Sequence, residues 1–251
     1  MQKITFNSRR LKWLAMITMT IDHIGAFILE PLIPAAAYIS LPATIFDLTA
    51  IAPSWRPIYG LMLLTRLIGR LAFPVFCFLL VQGFYHSRLP AAYALRLLIF
   101  ALISEPFFDL ANSDRFWNPS GQNVFFTLFF GLVLLMILHL NKLPAGLRLI
   151  GALLPVLAVR LIDCDYGLYG LGLMVLFGCM TAEPPHLLTN NFLPRMWLCF
   201  YLFYQFTACF ALPILSRYNG ERGKRQGLGF YLYYPLHLLL FWALTGYLLG
   251  R

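Results

Sequence analysis

The sequence predicts an all-α, polytopic integral membrane protein: a helical bundle of about eight to nine transmembrane helices in a single domain, residues 1–251. Three observations carry that expectation. The chain is 60% hydrophobic and only 12% charged, where a soluble domain carries about 25% charged residues. That leaves too little polar surface to coat a particle of this size in water. It excludes an ordinary soluble enzyme, a disordered tail and a nucleic-acid-binding domain. Apolar runs about 20 residues long recur along the chain, the length of one bilayer crossing. The net charge of +9 collects largely in short segments between these runs, as Lys and Arg do on cytoplasmic loops.

The runs fall at 11–30, 58–84, 91–110, 122–141, 146–163, 165–180, 197–216 and 228–249. The first follows Lys3, Arg9, Arg10 and Lys12 and continues past a polar Asp22–His23 pair. It is too long for a cleaved signal peptide. It reads as a first transmembrane helix, with the N-terminus in the cytoplasm. Pro31 and Pro34 close it. A polar loop at 112–121 ends the third run. Pro144 and Gly146 mark a turn, as do residues 163–167, and Pro184 and Pro185 open an irregular stretch. Loop charge follows the positive-inside rule up to residue 180. Eight crossings would then place Arg217, Arg222, Lys224 and Arg225 outside, which breaks the rule. A cytoplasmic 217–225 loop, with an extra crossing or half-helix in 181–216, restores it. The five cysteines (Cys77, Cys164, Cys179, Cys199 and Cys209) show no CxxC spacing. They read as small buried hydrophobes rather than a disulfide framework or a metal site.

Ionisable residues inside spanning segments are expensive and mark functional candidates. Asp22 and His23 lie in the first run. Arg66 and Arg70 sit one helical turn apart in the second, as do Glu105 and Asp109 in the third. Gln122 and Asn123 open the fourth, Asp163 and Asp165 close the fifth, and Tyr234 and His237 share a face of the last. An alternating topology brings the early groups to one depth in the outer half. Two readings stand for the Arg and acidic residues: a polar cavity open to the outside, or buried ion pairs that hold helices in register. His23 favours function, because imidazole exchanges a proton near neutral pH.

Six ordered blocks carry a family resemblance: LKWLAMITMTIDHIG (11–25), IGRLAFPVFCFLLVQGFYHSR (68–88), RLLIFALISEPFFDLA (96–111), QNVFFTLFFGL (122–132), DYGLYGLGLM (165–174) and YNGERGKRQGLGFYLYYPLHLLL (218–240). Together they resemble the TraX family of bacterial membrane proteins over most of the chain. Residues 31–57 and 181–215 match weakly. The resemblance implies a membrane acetyltransferase that takes acetyl from acetyl-CoA, with a conjugative pilin N-terminus or an envelope glycan or lipid as acceptor. On that reading His23 is the general base or transient acetyl acceptor. Asp22 points about 100° away from it, so Glu105 or Asp109 is the candidate to orient it. Arg66 and Arg70 stabilise the oxyanion or bind phosphate oxygens. Gln122 and Asn123 donate to the acyl carbonyl. Asp109, Asp165, Tyr234 and His237 line the substrate route, and Arg222 and Lys224 meet the CoA phosphates. No metal is expected. The alternatives are a proton-coupled transporter, against which stands the lack of internal symmetry, and a non-enzymatic pilus or envelope assembly factor.

Overall fold

The computed structural model describes residues 5–40, 47–181, 206–223 and 227–250. Among them the chain is helical, with three isolated β-bridges and no named strand. Asn7 starts the first helix by accepting a hydrogen bond from the Arg10 amide at 3.0 Å, an N-cap that satisfies one orphan donor. Helix α1 (Ser8–Ile24) runs on through a π turn (Gly25–Leu29) to Leu32. Helices α2 (Arg56–Gly69) and α3 (Ala72–Tyr85) are nearly continuous and meet at Arg70–Leu71. Helix α4 (Pro90–Ser113) stops where Asp114 turns left-handed, φ 56°. Helices α5 (Val124–Leu138), α6 (Ala145–Leu161) and α7 (Gly167–Thr181) follow. A short α8 (Ala211–Leu215) precedes the long α9 (Gly229–Leu249).

Four stretches are long and apolar enough to cross a membrane by length and composition: Ser8–Leu32, Arg56–Tyr85, Pro90–Ser113 and Gly229–Leu249. Helices α5 and α7 are apolar but shorter. The expected total of eight to nine leans partly on 197–216, of which 197–205 lie outside the described residues. The exterior is apolar. On α6, Leu154 is 70% and Leu161 81% exposed. Such leucine faces suit lipid contact, because bare apolar surface of this extent is disfavoured in water. The interior is packed by aromatic and aliphatic groups such as Phe177, Leu132, Leu173 and Met174.

Two ends of the bundle can be traced by contacts. At one end, the Phe6 amide donates to Arg217 O at 2.9 Å and the Ser8 amide to Glu221 O at 2.8 Å. Arg222 there donates to His86 O at 3.0 Å, and Tyr85 meets His139 at 2.8 Å. At the other end, Trp242 donates to Asp114 at 2.8 Å, and Gln122 exchanges backbone bonds with Asp163 and Asp165. The basic loop therefore lies beside the N-terminus. This is the arrangement that loop charge demands and that a plain eight-crossing count denies. Lys224 and Arg225 lie outside the described residues.

Helices α1 and α2 approach closely at two glycines. A Cβ on Gly69 would overlap the Asp22 side chain, and one on Gly25 would overlap Thr65. Small residues of this kind let transmembrane backbones come together. Here they press the Asp22 carboxylate against α2.

Candidate functional site

One face of α1 carries Ser8, Arg9, Lys12, Met16, Met19, His23 and Phe27, a three- and four-residue spacing that makes a continuous helical stripe. This stripe walls a cavity of about 1230 Å³ shared with α2, α3, α4, α5 and α9. Its rim at the N-terminal end is cationic. Arg9, Lys12, Arg88, Arg96 and Arg222 line it, and the Lys12 ammonium stands 4.7 Å over the Phe230 ring, a cation–π contact. The three carboxylates among the lining residues, Asp22, Asp163 and Asp165, all belong to the other half. There they accompany Arg66, Arg70, Gln122, Tyr166 and Asn112.

His23 sits on the wall between these halves. Its Nδ1 is 2.6 Å from Nε2 of His237 on α9, with the two rings 3° from parallel. The Nδ1 of His237 lies 3.0 Å from the Tyr233 carbonyl. Phe27 and Phe241 pack edge-on against His23. Two further polar contacts join α1 to α9 on either side of the imidazole pair. The Thr20 and Tyr233 hydroxyls bond below it, and Thr245 donates to the Phe27 carbonyl above it. That carbonyl belongs to the π turn, a distortion that often marks functional positions.

Asp22 points to a different neighbour, as the 100° rotation per residue requires. Its Oδ2 pairs with Arg66 Nη1 at 2.5 Å, both side chains being largely covered. Arg70, one turn beyond Arg66, interacts electrostatically with Asp165, Asp22 and Tyr166. Asp22, His23, Arg66, Arg70, Gln122, Asp165, Tyr234 and Arg222 thus line one cavity. His237 stands behind it, in contact with His23.

Three expected site residues go elsewhere. Glu105 does not orient His23, and neither does Asp109. The Glu105 carboxylate accepts from the Asn123 amide N–H at 3.2 Å and from the Asn123 side chain. Asp109 accepts from the Asn118 amide at 2.8 Å and ties down the 114–123 loop. Asn123 is fully buried, donates also to the Ala101 carbonyl at 2.8 Å and caps α5 through the Phe125 amide at 3.0 Å. Its amide is committed, so it is not a donor to an acyl carbonyl. None of the three lines the cavity. Sequence reading in turn missed Arg9, Lys12, Arg88 and Arg96 as cavity residues, treating the first three as topological charge. The stripe from Arg9 through Lys12 and Met16 to His23 was the available signal.

The family model for "TraX protein" matches residues 7–245. The chain belongs to the TraX family. It is also 29% identical to the probable fimbrial assembly protein FimC, serogroup H1, of Dichelobacter nodosus, over 95% of this chain and 96% of that protein. No solved structure matches the chain significantly. The TraX match spans both halves of the cavity, from α1 through most of α9. Chemically, the arrangement offers a cationic rim, a partly covered imidazole with one nitrogen engaged, and two guanidinium groups that line the same cavity. Among the described residues no group of three or more His, Cys, Asp or Glu is placed to hold a metal ion.

Proposed function

We propose that the protein is a membrane-embedded acetyltransferase. It takes acetyl from cytosolic acetyl-CoA and passes it to an acceptor amine or hydroxyl at the outer face of the cytoplasmic membrane. The observation that carries this reading is the single cavity that joins the cationic rim to His23 and continues to the opposite end. Arg9 and His23 are 14 residues apart on α1, so about 21 Å at 1.5 Å per residue. An extended pantetheine arm spans such a distance. Phosphates held by Lys12, Arg88 and Arg222 would leave the thioester beside His23. The positive-inside rule places that rim in the cytoplasm.

His23 then either takes the proton of the incoming acceptor, whose attack breaks the thioester C–S bond and expels CoA as the thiolate, or takes the acetyl group itself as CoA thiolate leaves, and then passes it to the acceptor. Both routes need a lone pair on the ring nitrogen that His237 does not engage. Attack on the thioester carbonyl develops negative charge on its oxygen. Arg70 and Arg66 lie in the same wall and stabilise it, while Asp22 holds the Arg66 guanidinium in place. Gln122 and Asp165 receive the acceptor from the far end. The fimbrial name of the relative supports a pilus component as acceptor. Comparative mass spectrometry of envelope proteins and glycans, with and without this protein, tests the reading. It predicts one acetyl group lost in the protein's absence. The same relative's name favours a second reading, a non-enzymatic assembly factor. In that case assembly fails without any change in acetylation.

A further inference from the structure

The His23–His237 contact fixes more than proximity. A carbonyl oxygen can only accept a hydrogen bond, so the 3.0 Å contact between His237 Nδ1 and the Tyr233 carbonyl puts the proton on that nitrogen. His237 is only 6% exposed. Among the described contacts of His237 there is no carboxylate. An imidazolium there would be a buried charge without a counter-ion, which is costly. The ring is therefore neutral, and its Nε2 carries a lone pair. At 2.6 Å from that lone pair, Nδ1 of His23 must be a donor. The described contacts of His23 hold no carboxylate either, so that ring is neutral too; its proton is on Nδ1 and its lone pair on Nε2.

We propose that His237 is a positioning residue that fixes His23 in the Nδ1–H tautomer, leaving Nε2 bare on the ring that lines the cavity. The inference rests on the acetyltransferase reading for its purpose, but not for its test. The chain of bonds runs Tyr233 C=O, His237 Nδ1–H, His237 Nε2, His23 Nδ1–H. It sets the tautomer from the backbone of α9. The flanking Thr20–Tyr233 and Thr245–Phe27 contacts hold α1 and α9 in the register the chain needs. Isolated histidine favours the opposite tautomer, with the proton on Nε2. Without His237, the atom needed as base or nucleophile would more often carry a proton.

The test is histidine-selective ¹⁵N NMR of the full-length protein in lipid nanodiscs, without acetyl-CoA. The His23 signals are assigned by their loss in His23→Gln. The expected result is a protonated Nδ1 and a bare Nε2 on His23 in the unaltered protein. His237→Phe, which keeps the ring volume but offers no acceptor, moves His23 to the Nε2–H form. His237→Gln, whose amide oxygen can accept, restores the Nδ1–H form. Under the acetyltransferase reading, kcat falls on the order of 100-fold or more in His237→Phe, with KM for acetyl-CoA unchanged; a misplaced histidine proton costs a serine protease even more. An Nε2–H tautomer in the unaltered protein overturns the inference, whether or not His237→Phe folds. An Nδ1–H tautomer that persists in a folded His237→Phe overturns it too. Absence of acetyl transfer by the unaltered protein would instead sink the acetyltransferase reading and leave the tautomer result standing.

Discussion

Two polar clusters in this bundle look alike in sequence and differ in kind. One joins α1, α2 and α9: Asp22, His23, Arg66, Arg70 and His237. The other joins α4 and α5: Glu105, Asp109 and Asn123. Each places ionisable side chains at helical spacing inside apolar runs. The first cluster opens on the cavity, and its imidazole keeps one nitrogen uncommitted to its histidine partner. The second is sealed. Glu105 is 4% and Asn123 0% exposed, and the Asn123 amide spends its hydrogen bonds on Glu105, Ala101 and its own helix. Polar groups act as glue between helices in the second cluster, while in the first Asp22, His23, Arg66 and Arg70 face a cavity. Spare bonding capacity facing a cavity separates the two, and charge alone does not.

The largest effect that would sharpen this contrast is on His23. His23→Gln should fold normally and lose acetyl transfer by about 100- to 10,000-fold. A steady-state assay on the monodisperse protein checks it. Asn123→Ala should do the reverse. It leaves the Glu105 carboxylate short of its donor and uncaps α5. Thermal unfolding in detergent should register a loss of about 1–3 kcal/mol, while kcat of the folded fraction stays within a few-fold. If Asn123→Ala loses kcat as steeply as His23→Gln does, the two clusters are one site and the contrast breaks.

Gly69→Ala is a finer probe of the first cluster. Its methyl group would displace the Asp22 carboxylate from α2, so Arg66 loses its set position. Overpacking of this kind costs about 1–3 kcal/mol, and here kcat should fall with it. Smallest is the rim. Lys12→Gln should raise KM for acetyl-CoA several-fold and leave kcat alone. Added salt should shrink the difference, because exposed charges are screened beyond about 10 Å at 0.1 M. An unchanged KM at low salt would remove the rim from the donor path.

Much of this was legible in the sequence. The runs at 91–110 and 228–249 became α4 and α9. Asp22 of the first run and Arg66 of the second pair across helices, and His23 and Arg70 line the same cavity. The loop-charge conflict at 217–225 pointed to the arrangement that the Phe6–Arg217 and Ser8–Glu221 bonds display. Partners far apart in the chain were not legible. Nothing near residue 23 announces a bond to residue 237, and nothing near Glu105 says that Asn123 will claim it. Asn123 did carry a readable sign, since an Asn directly before an apolar helix is a good N-cap. Read as a cap, it would have been withdrawn from the site. Arg9 and Lys12 were hidden by a competing explanation, for topology alone accounts for basic residues ahead of a first helix. Their position on the His23 stripe gives them a second use.

The role proposed for His23, on the wall of a cavity opening at a cationic rim, is to transfer acetyl from acetyl-CoA across the bundle. The most direct measurement follows radiolabel from acetyl-CoA, supplied on the rim side of proteoliposomes, to envelope acceptors on the opposite side. Labelled acceptor is expected with the unaltered protein, and loss of nearly all label with His23→Gln of equal fold and orientation. Equal labelling by the two proteins would contradict it.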